Sequence, residues 1–337
     1  MSENDTILTR EAKQELETAL TSSRIVELQE NPVKGSFDAA HLKEIHRRIF
    51  QDLPALGIDG ISPGEFRSST DSGHVHKKTR NLCELSAQSY VCYSWMDKSV
   101  RANLDKVLEA AKPTQLSKLK KEDFAKSMGD LYAQLDYIHP FKEGNSRTLR
   151  EFTRQLAKDS GYEIDWQRHN KNGKSRDDLY LARDRAVGNI ALQHLPYCNI
   201  SVRIEESIAR FKERSDLQDL MKESVRPNRA AAFEKLPKKD ALREHPELGA
   251  AYDLLRLAEK YYAEKSPDKR DAGIQNVKQH IQNRLNEGET QNFRLEKQGA
   301  EKMPAPTPAK TSEPSKSTPT PTIGAKPKEA PEPDIER

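Results

Sequence analysis

The chain has 337 residues, 34% of them apolar and 32% charged, a thin supply of core that leaves part of it without enough apolar surface to fold upon. Its 56 basic residues nearly balance 53 acidic ones, for a net charge of +3, too little to make nucleic acid the principal partner, because phosphate-driven binding needs a concentrated basic surface. No apolar run reaches membrane-spanning length and Met1-Ser2-Glu3-Asn4-Asp5 lacks a secretory pattern, so a cytoplasmic protein with no membrane partner is expected.

Cys83, Cys92 and Cys198 are odd in number and lack metal-type spacing, which predicts reduced, packed thiols and no catalytic cysteine. From Thr9 to about Ser22, Ala12, Leu16, Ala19 and Leu20 recur at helical spacing behind a fair N-cap, Thr9. Pro32 and Gly35 break the chain before a second helix, Phe37 to Phe50, whose apolar face is Leu42, Ile45, His46 and Ile49. The polar, turn-rich stretch from Arg67 to Leu82, with Gly73, His74, Val75, His76 and Lys77, predicts a short two-stranded flap. Phe124, Met128, Leu131 and Leu135 make Lys121 to Tyr137 a helix with one buried stripe.

That helix runs into His139-Pro140-Phe141-Lys142-Glu143-Gly144-Asn145-Ser146-Arg147-Thr148-Leu149-Arg150, which joins a proton acceptor, a carboxylate, a Gly-containing turn and two arginines at one loop-helix junction. His139, turned into the loop by Pro140, suits a general base. Glu143 suits Mg²⁺, which takes one or two protein carboxylates and fills its octahedron with water and phosphate oxygens. Gly144 permits a tight turn, and the amides of Asn145 and Ser146 lie where a helix start faces an anion. Arg147 and Arg150 can grip terminal phosphates in two-pronged fashion. Phe141 reads as a core plug and Arg154 as an ion-pair residue. Taken singly, His139 could be a turn histidine satisfied by a carbonyl, Glu143 a solvent-facing carboxylate, and either arginine a helix-surface residue; the combination points to nucleotide transfer.

Past the motif, Leu149, Phe152 and Leu156 mark the inner face of another helix. Gly161 to Trp166 reads as a helix end and loop, Asp178 to about Leu195 as a helix, and Val202 to about Ser224 as a polar helix before Pro227. Two further stripes, Ala251/Leu254/Leu255/Ala258/Tyr262 and Ile274/Val277/Ile281/Leu285, predict a helical hairpin ending at Gly288. The last segment is Pro-, Thr-, Lys- and Glu-rich with almost nothing to bury. The expected organisation is a catalytic domain over residues 1–200, a connecting helix over 201–227, a small helical module over 228–290 and a disordered tail over 291–337.

The motif resembles the signature of the Fic (filamentation induced by cAMP) family, His-Pro-Phe-x-Asp/Glu-Gly-Asn-Gly-Arg-x-x-Arg, departing only at Ser146, where the family most often has glycine. Gly35 to His46 resembles the family's first core helix, and Gly64-Glu65-Phe66-Arg67 the turn that follows it; Leu56 to Ile61 replaces a Tyr-Pro-Trp-Ala-Gly run common there. The resemblance implies a mainly α fold, a helical bundle with a small β-hairpin flap that pairs with a segment of the target. It also implies a protein adenylyltransferase that moves AMP from ATP onto a Ser, Thr or Tyr hydroxyl of a target protein. In that reading His139 is the base, Glu143 holds Mg²⁺, Gly144, Asn145 and Ser146 cradle the phosphates, and Arg147 and Arg150 hold the leaving group. The alternatives are transfer of another nucleotide or phosphate group, or a catalytically silent scaffold acting through its C-terminal module. If the family's glycine were needed for a positive φ, Ser146 would cost about 1 kcal/mol or more.

Many Fic proteins are restrained by a helix carrying Ser/Thr-x-x-x-Glu-Gly/Asn. Here Glu30-Asn31 has Val26 at the hydroxyl position, Ser23 and Glu27 are followed by Leu28, and Glu287-Gly288 has Asn283. With no full match, the expected partner is a separate antitoxin protein that supplies the inhibitory helix, this chain being the toxin half of a pair. An internal inhibitor using Glu27 or Glu30 is the alternative.

Overall fold

The computed structural model describes residues 9–58, 60–68, 76–95, 98–289, 291 and 293. These fall into two units, one running through Asn228 and the other beginning at Arg229. Both are helical, in keeping with the expected mainly α class.

In the first unit, α1 (Arg10–Glu30) starts where expected, with Thr9 Oγ1 accepting from the Ala12 amide at 3.2 Å. It runs eight residues past Ser22 because neither Gly nor Pro interrupts it before Pro32. α2 (Ala39–Phe50) is capped by Asp38 and buries His41, Leu42, Ile45, His46, Ile49 and Phe50. β1 (His76–Asn81) and β2 (Gln88–Tyr93) form the antiparallel hairpin, in register from His76 opposite Tyr93 to Asn81 opposite Gln88. The hairpin therefore lies later than the predicted Arg67–Leu82, and Gly73, His74 and Val75 fall outside the described residues. The second strand, Ser-Tyr-Val-Cys-Tyr, carries the aromatic and β-branched residues that suit a pleated, half-buried surface.

After α3 (Lys98–Ala110) and the single turn α4 (Pro113–Leu116) comes α5 (Lys121–Ile138), which lies at the centre of the unit. Phe124, Met128, Tyr132, Leu135 and Ile138 are wholly buried against α6 (Asn145–Asp159), α7 (Gly173–Leu192) and α9 (Leu217–Ser224), each such side chain contributing roughly 2 kcal/mol by leaving water. α6 turns Leu149, Phe152 and Leu156 inward, as its periodicity predicts. α7 begins earlier than expected, because Asn172 and Ser175 form a reciprocal cap.

Gly161 (φ +86°) ends α6, and the segment read as loop is instead a short strand, β3 (Tyr162–Ile164), paired antiparallel with β4 (Val225–Pro227). Its signal is the alternation of buried Tyr162 and Ile164 around Glu163, which sits opposite Arg226 and bonds it at 2.8 Å. The polar stretch read as one helix is two, α8 (Asn199–Arg210) and α9, because Asp216 caps a new start. Residues 201–227, expected as a connection, thus contribute Leu217, Met221 and Val225 to the core of the first unit.

The second unit comprises α10 (Arg229–Lys235), α11 (Lys238–Glu244), α12 (Gly249–Tyr262) and α13 (Pro267–Asn286). α12 and α13 form the predicted hairpin around Ala251, Ala258, Val277, Ile281 and Leu285. Phe293 is buried in this core, so the unit extends past residue 290; residues 294–337, the rest of the expected disordered tail, lie outside the described residues. Among the described residues, no helix is long and apolar enough to cross a membrane. All three cysteines are free, but only Cys92 is buried, its thiol pushed up to about 12 by burial; Cys83 is exposed and Cys198 half-exposed, against the expectation of three packed thiols.

Candidate active site

His139 is the C-cap of α5 and adopts left-handed backbone (φ +48°, ψ 59°), costly for a residue with a Cβ. The surroundings enforce it. Its amide still donates to Leu135 O at 3.0 Å, and its carbonyl accepts from the Arg67 Nε at 2.6 Å. The same guanidinium donates to Ile138 O and Ser94 O, and burial brings it down to about 10. Arg67, noticed in the sequence only as part of a turn, is thus the clamp that holds the backbone of His139. His139 is 5% exposed, its ring stacked on Tyr93 of β2 at 3.8 Å and next to His76 of β1 at 5.2 Å.

The loop after His139 is fixed from inside. Phe141 is fully buried, as predicted, and stacks on His46 with centroids 3.9 Å apart. His46 Nδ1 accepts from the Gly64 amide (2.9 Å), which leaves Nε2–H to donate to Glu143 O (3.1 Å). Burial brings His46 down to about 4, so the ring is neutral and this tautomer is the one used. Asn145 Oδ1 accepts from the Phe141 amide and its Nδ2 donates to Phe141 O. Its side chain therefore closes the loop.

Gly144 is the N-cap of α6 at φ +77°, and a Cβ there would sit 2.3 Å from the Phe50 ring. Among the described residues no side chain caps the helix, which leaves its first amides without an intrahelical partner, the ordinary condition for receiving an anion. Ser146 lies inside the helix without a positive φ, so the feared backbone cost is absent. It is 2% exposed, and its Oγ accepts from Arg183. Glu143 is exposed beside the turn and Arg150 half-exposed on α6. Arg147 lies over the Phe50 ring and is taken by α1, donating to Glu17 at 2.8 Å and to Thr21 at 3.1 Å. Glu27, weighed in the sequence as an internal inhibitor, instead bonds Arg24 in its own helix. Arg154 pairs with Glu151, as expected.

A cavity of about 330 Å³ lies nearby between β2, α3 and the end of α7, lined by Tyr93, Ser94, Trp95, Tyr137 and His194; none of the motif residues lines it. Among the described residues no three acidic, histidine or cysteine side chains cluster as a ready-made metal cage.

A profile described as the Fic/DOC family matches residues 36–157. The chain carries a Fic domain. The protein adenylyltransferase VbhT of Bartonella schoenbuchensis is 27% identical over 194 residues, 57% of this chain and 36% of that protein. A probable protein adenylyltransferase Fic of Escherichia coli is 26% identical over 159 residues, 46% of this chain and 68% of that one. The match therefore spans only about a third of VbhT's length. Among solved structures, BepC of Bartonella tribocorum with bound AMPPNP is similar at 17% identity and a TM-score of 0.43, over 67% of this chain and 92% of that one.

Proposed function

We propose that this Fic domain is a protein adenylyltransferase that moves AMP from ATP to a hydroxyl side chain of a target protein. What carries the reading is the juxtaposition of a buried, backbone-strained His139 with the uncapped start of α6 and its arginines. The name borne by VbhT agrees with it. The amides of Asn145 and Ser146, at the uncapped start of α6, receive the α phosphate, and Arg147 and Arg150 hold the terminal phosphates. His139 takes the proton from the target hydroxyl. Glu143 is the residue that would hold Mg²⁺; one exposed carboxylate without an acidic cluster suits a cation that arrives with the triphosphate, where it would neutralise phosphate charge.

The hairpin of β1 and β2, whose Tyr93 and His76 touch the base, is placed to pair with an extended segment of the target. The regulator we favour is a separate antitoxin protein, since no Ser/Thr-x-x-x-Glu-Gly/Asn pattern is complete in this chain. Incubation with α-labelled ATP, Mg²⁺ and a cell lysate should label a protein band that His139→Ala abolishes. A band that persists in that variant removes His139 from its role. Labelling that stays as strong in the presence of the neighbouring gene's product removes the antitoxin.

A further inference from the structure

Behind the His139 ring stands a buried ionic row that the reaction as described does not use. Asp136, one turn earlier on α5, is 1% exposed, and its Oδ1 lies 3.7 Å from His139 Nδ1. That ring nitrogen is buried and has no hydrogen-bond partner among the described residues. On the carboxylate's other side, Arg183 of α7 is fully buried and meets Asp136 Oδ2 through Nε at 3.2 Å and Nη2 at 3.1 Å. Its remaining nitrogen, Nη1, donates to Ser146 Oγ at 3.0 Å. One row of contacts therefore runs from the phosphate-facing turn of α6, through α7, to the imidazole. A fully buried ion pair gains little stability over apolar packing of the same volume, so its place beside the base points to another use.

We propose that Asp136 is the positioning carboxylate of His139, held in place by Arg183 and Ser146. Asp136 accepts a hydrogen bond from Nδ1–H, which leaves the Nε2 lone pair to face the substrate hydroxyl. A small rotation of the ring within its stack on Tyr93 turns 3.7 Å into a hydrogen bond. The guanidinium fixes the carboxylate's rotamer, and Ser146 ties that guanidinium to the turn that receives the nucleotide. Ser146 thereby acquires a function that glycine cannot supply.

The inference rests on the transfer reaction proposed above. In that step the hydroxyl proton passes to Nε2 and the oxygen's electron pair forms the bond to the α phosphorus. The bond from that phosphorus to the bridging oxygen breaks, its pair leaving with pyrophosphate. The imidazolium charge then sits against Asp136, and the extra proton is afterwards lost to solvent.

Two measurements test this on the full chain. With ¹⁵N-labelled histidine, nitrogen chemical shifts and long-range couplings in the wild type should show His139 protonated at Nδ1; a ring protonated at Nε2 overturns the proposal, and no variant is needed to see it. Asp136→Asn alone would strand the Arg183 charge, so the kinetic variant is Asp136→Asn with Arg183→Met, which removes both charges. Its kcat should fall on the order of 10²-fold, with the KM for ATP changed less than about threefold and the Nδ1 tautomer lost. In a His139→Ala background the same pair of changes should leave any residual rate within about twofold, because Asp136 acts through the ring. A folded double variant with wild-type kcat overturns the proposal. A wild type that transfers no nucleotide would instead sink the adenylyltransferase reading, and the tautomer alone would then decide the role of Asp136.

Discussion

At the scale of single residues, the motif is built so that each side chain has one neighbour that dictates it. Gly144 is required twice over, by its positive φ and by the Phe50 ring that fills the space of a Cβ. Gly144→Ala should therefore destabilise the protein by on the order of 3 kcal/mol, combining left-handed strain with overpacking. Gly57 is also left-handed (φ +63°) but has nothing among the described residues within 4 Å of a Cβ, so Gly57→Ala should cost only about 1 kcal/mol. Urea midpoints followed by tryptophan fluorescence report the comparison, because Trp95 and Trp166 are the chain's two tryptophans and both lie in the first unit. Equal costs for the two substitutions would remove Phe50 from the account. Much of this was legible beforehand, since His139, Phe141 and the turn glycine carry their chemistry in adjacent positions. The partners of Asn145 and Ser146 were not. Asn145 turns its amide into the loop, a choice local sequence does not encode, and Ser146 meets Arg183 37 residues away.

At the scale of elements, α1 does more than pad the bundle, because it brings Glu17 and Thr21 onto Arg147. In the proposed reaction, a carboxylate beside Arg147 competes with phosphate for it. Glu17→Gln should lower the KM for ATP by roughly threefold or more while costing less than about 1 kcal/mol of stability, since the pair is only partly buried. A KM that rises would mean that Glu17 presents Arg147 to the nucleotide instead of holding it back. Local pattern offers no reason to choose Glu17 over Glu27: both lie on one uninterrupted amphipathic helix, and which carboxylate faces the motif depends on how α1 packs against α2. The pairing of β3 with β4 was hidden for a similar reason, its two short strands standing about sixty residues apart, beyond any local pattern. Helices with a strong stripe, α2 and α5, were placed within a residue or two, and the inner face of α6 was read correctly, because burial of one face leaves little freedom in their periodicity.

At the scale of the molecule, the first unit buries several uncharged histidines, and this sets how its stability varies with pH. His46 is 1% exposed and burial brings it down to about 4; burial likewise lowers His41 and His169, both 4% exposed. Above about pH 6.5 these rings are neutral in the folded and unfolded chain alike, so they make stability flat. Between about 6.5 and 4 the unfolded chain takes up protons that the folded core refuses, and stability falls with falling pH. Below about 4 His46 protonates in place and its share of the loss is complete, on the order of 3 kcal/mol. Glu44, held down to about 2 by its hydrogen bond to Arg47, adds its loss only at still lower pH, so the two effects separate. Urea midpoints by tryptophan fluorescence should be level from pH 8 to about 6.5 and then drop steadily towards pH 4. His46→Gln, which can keep a donor towards Glu143 O and an acceptor towards Gly64, should flatten that drop even though it lowers the midpoint at neutral pH. An unchanged slope in His46→Gln would place the proton uptake elsewhere, with His41 and His169 the next to substitute.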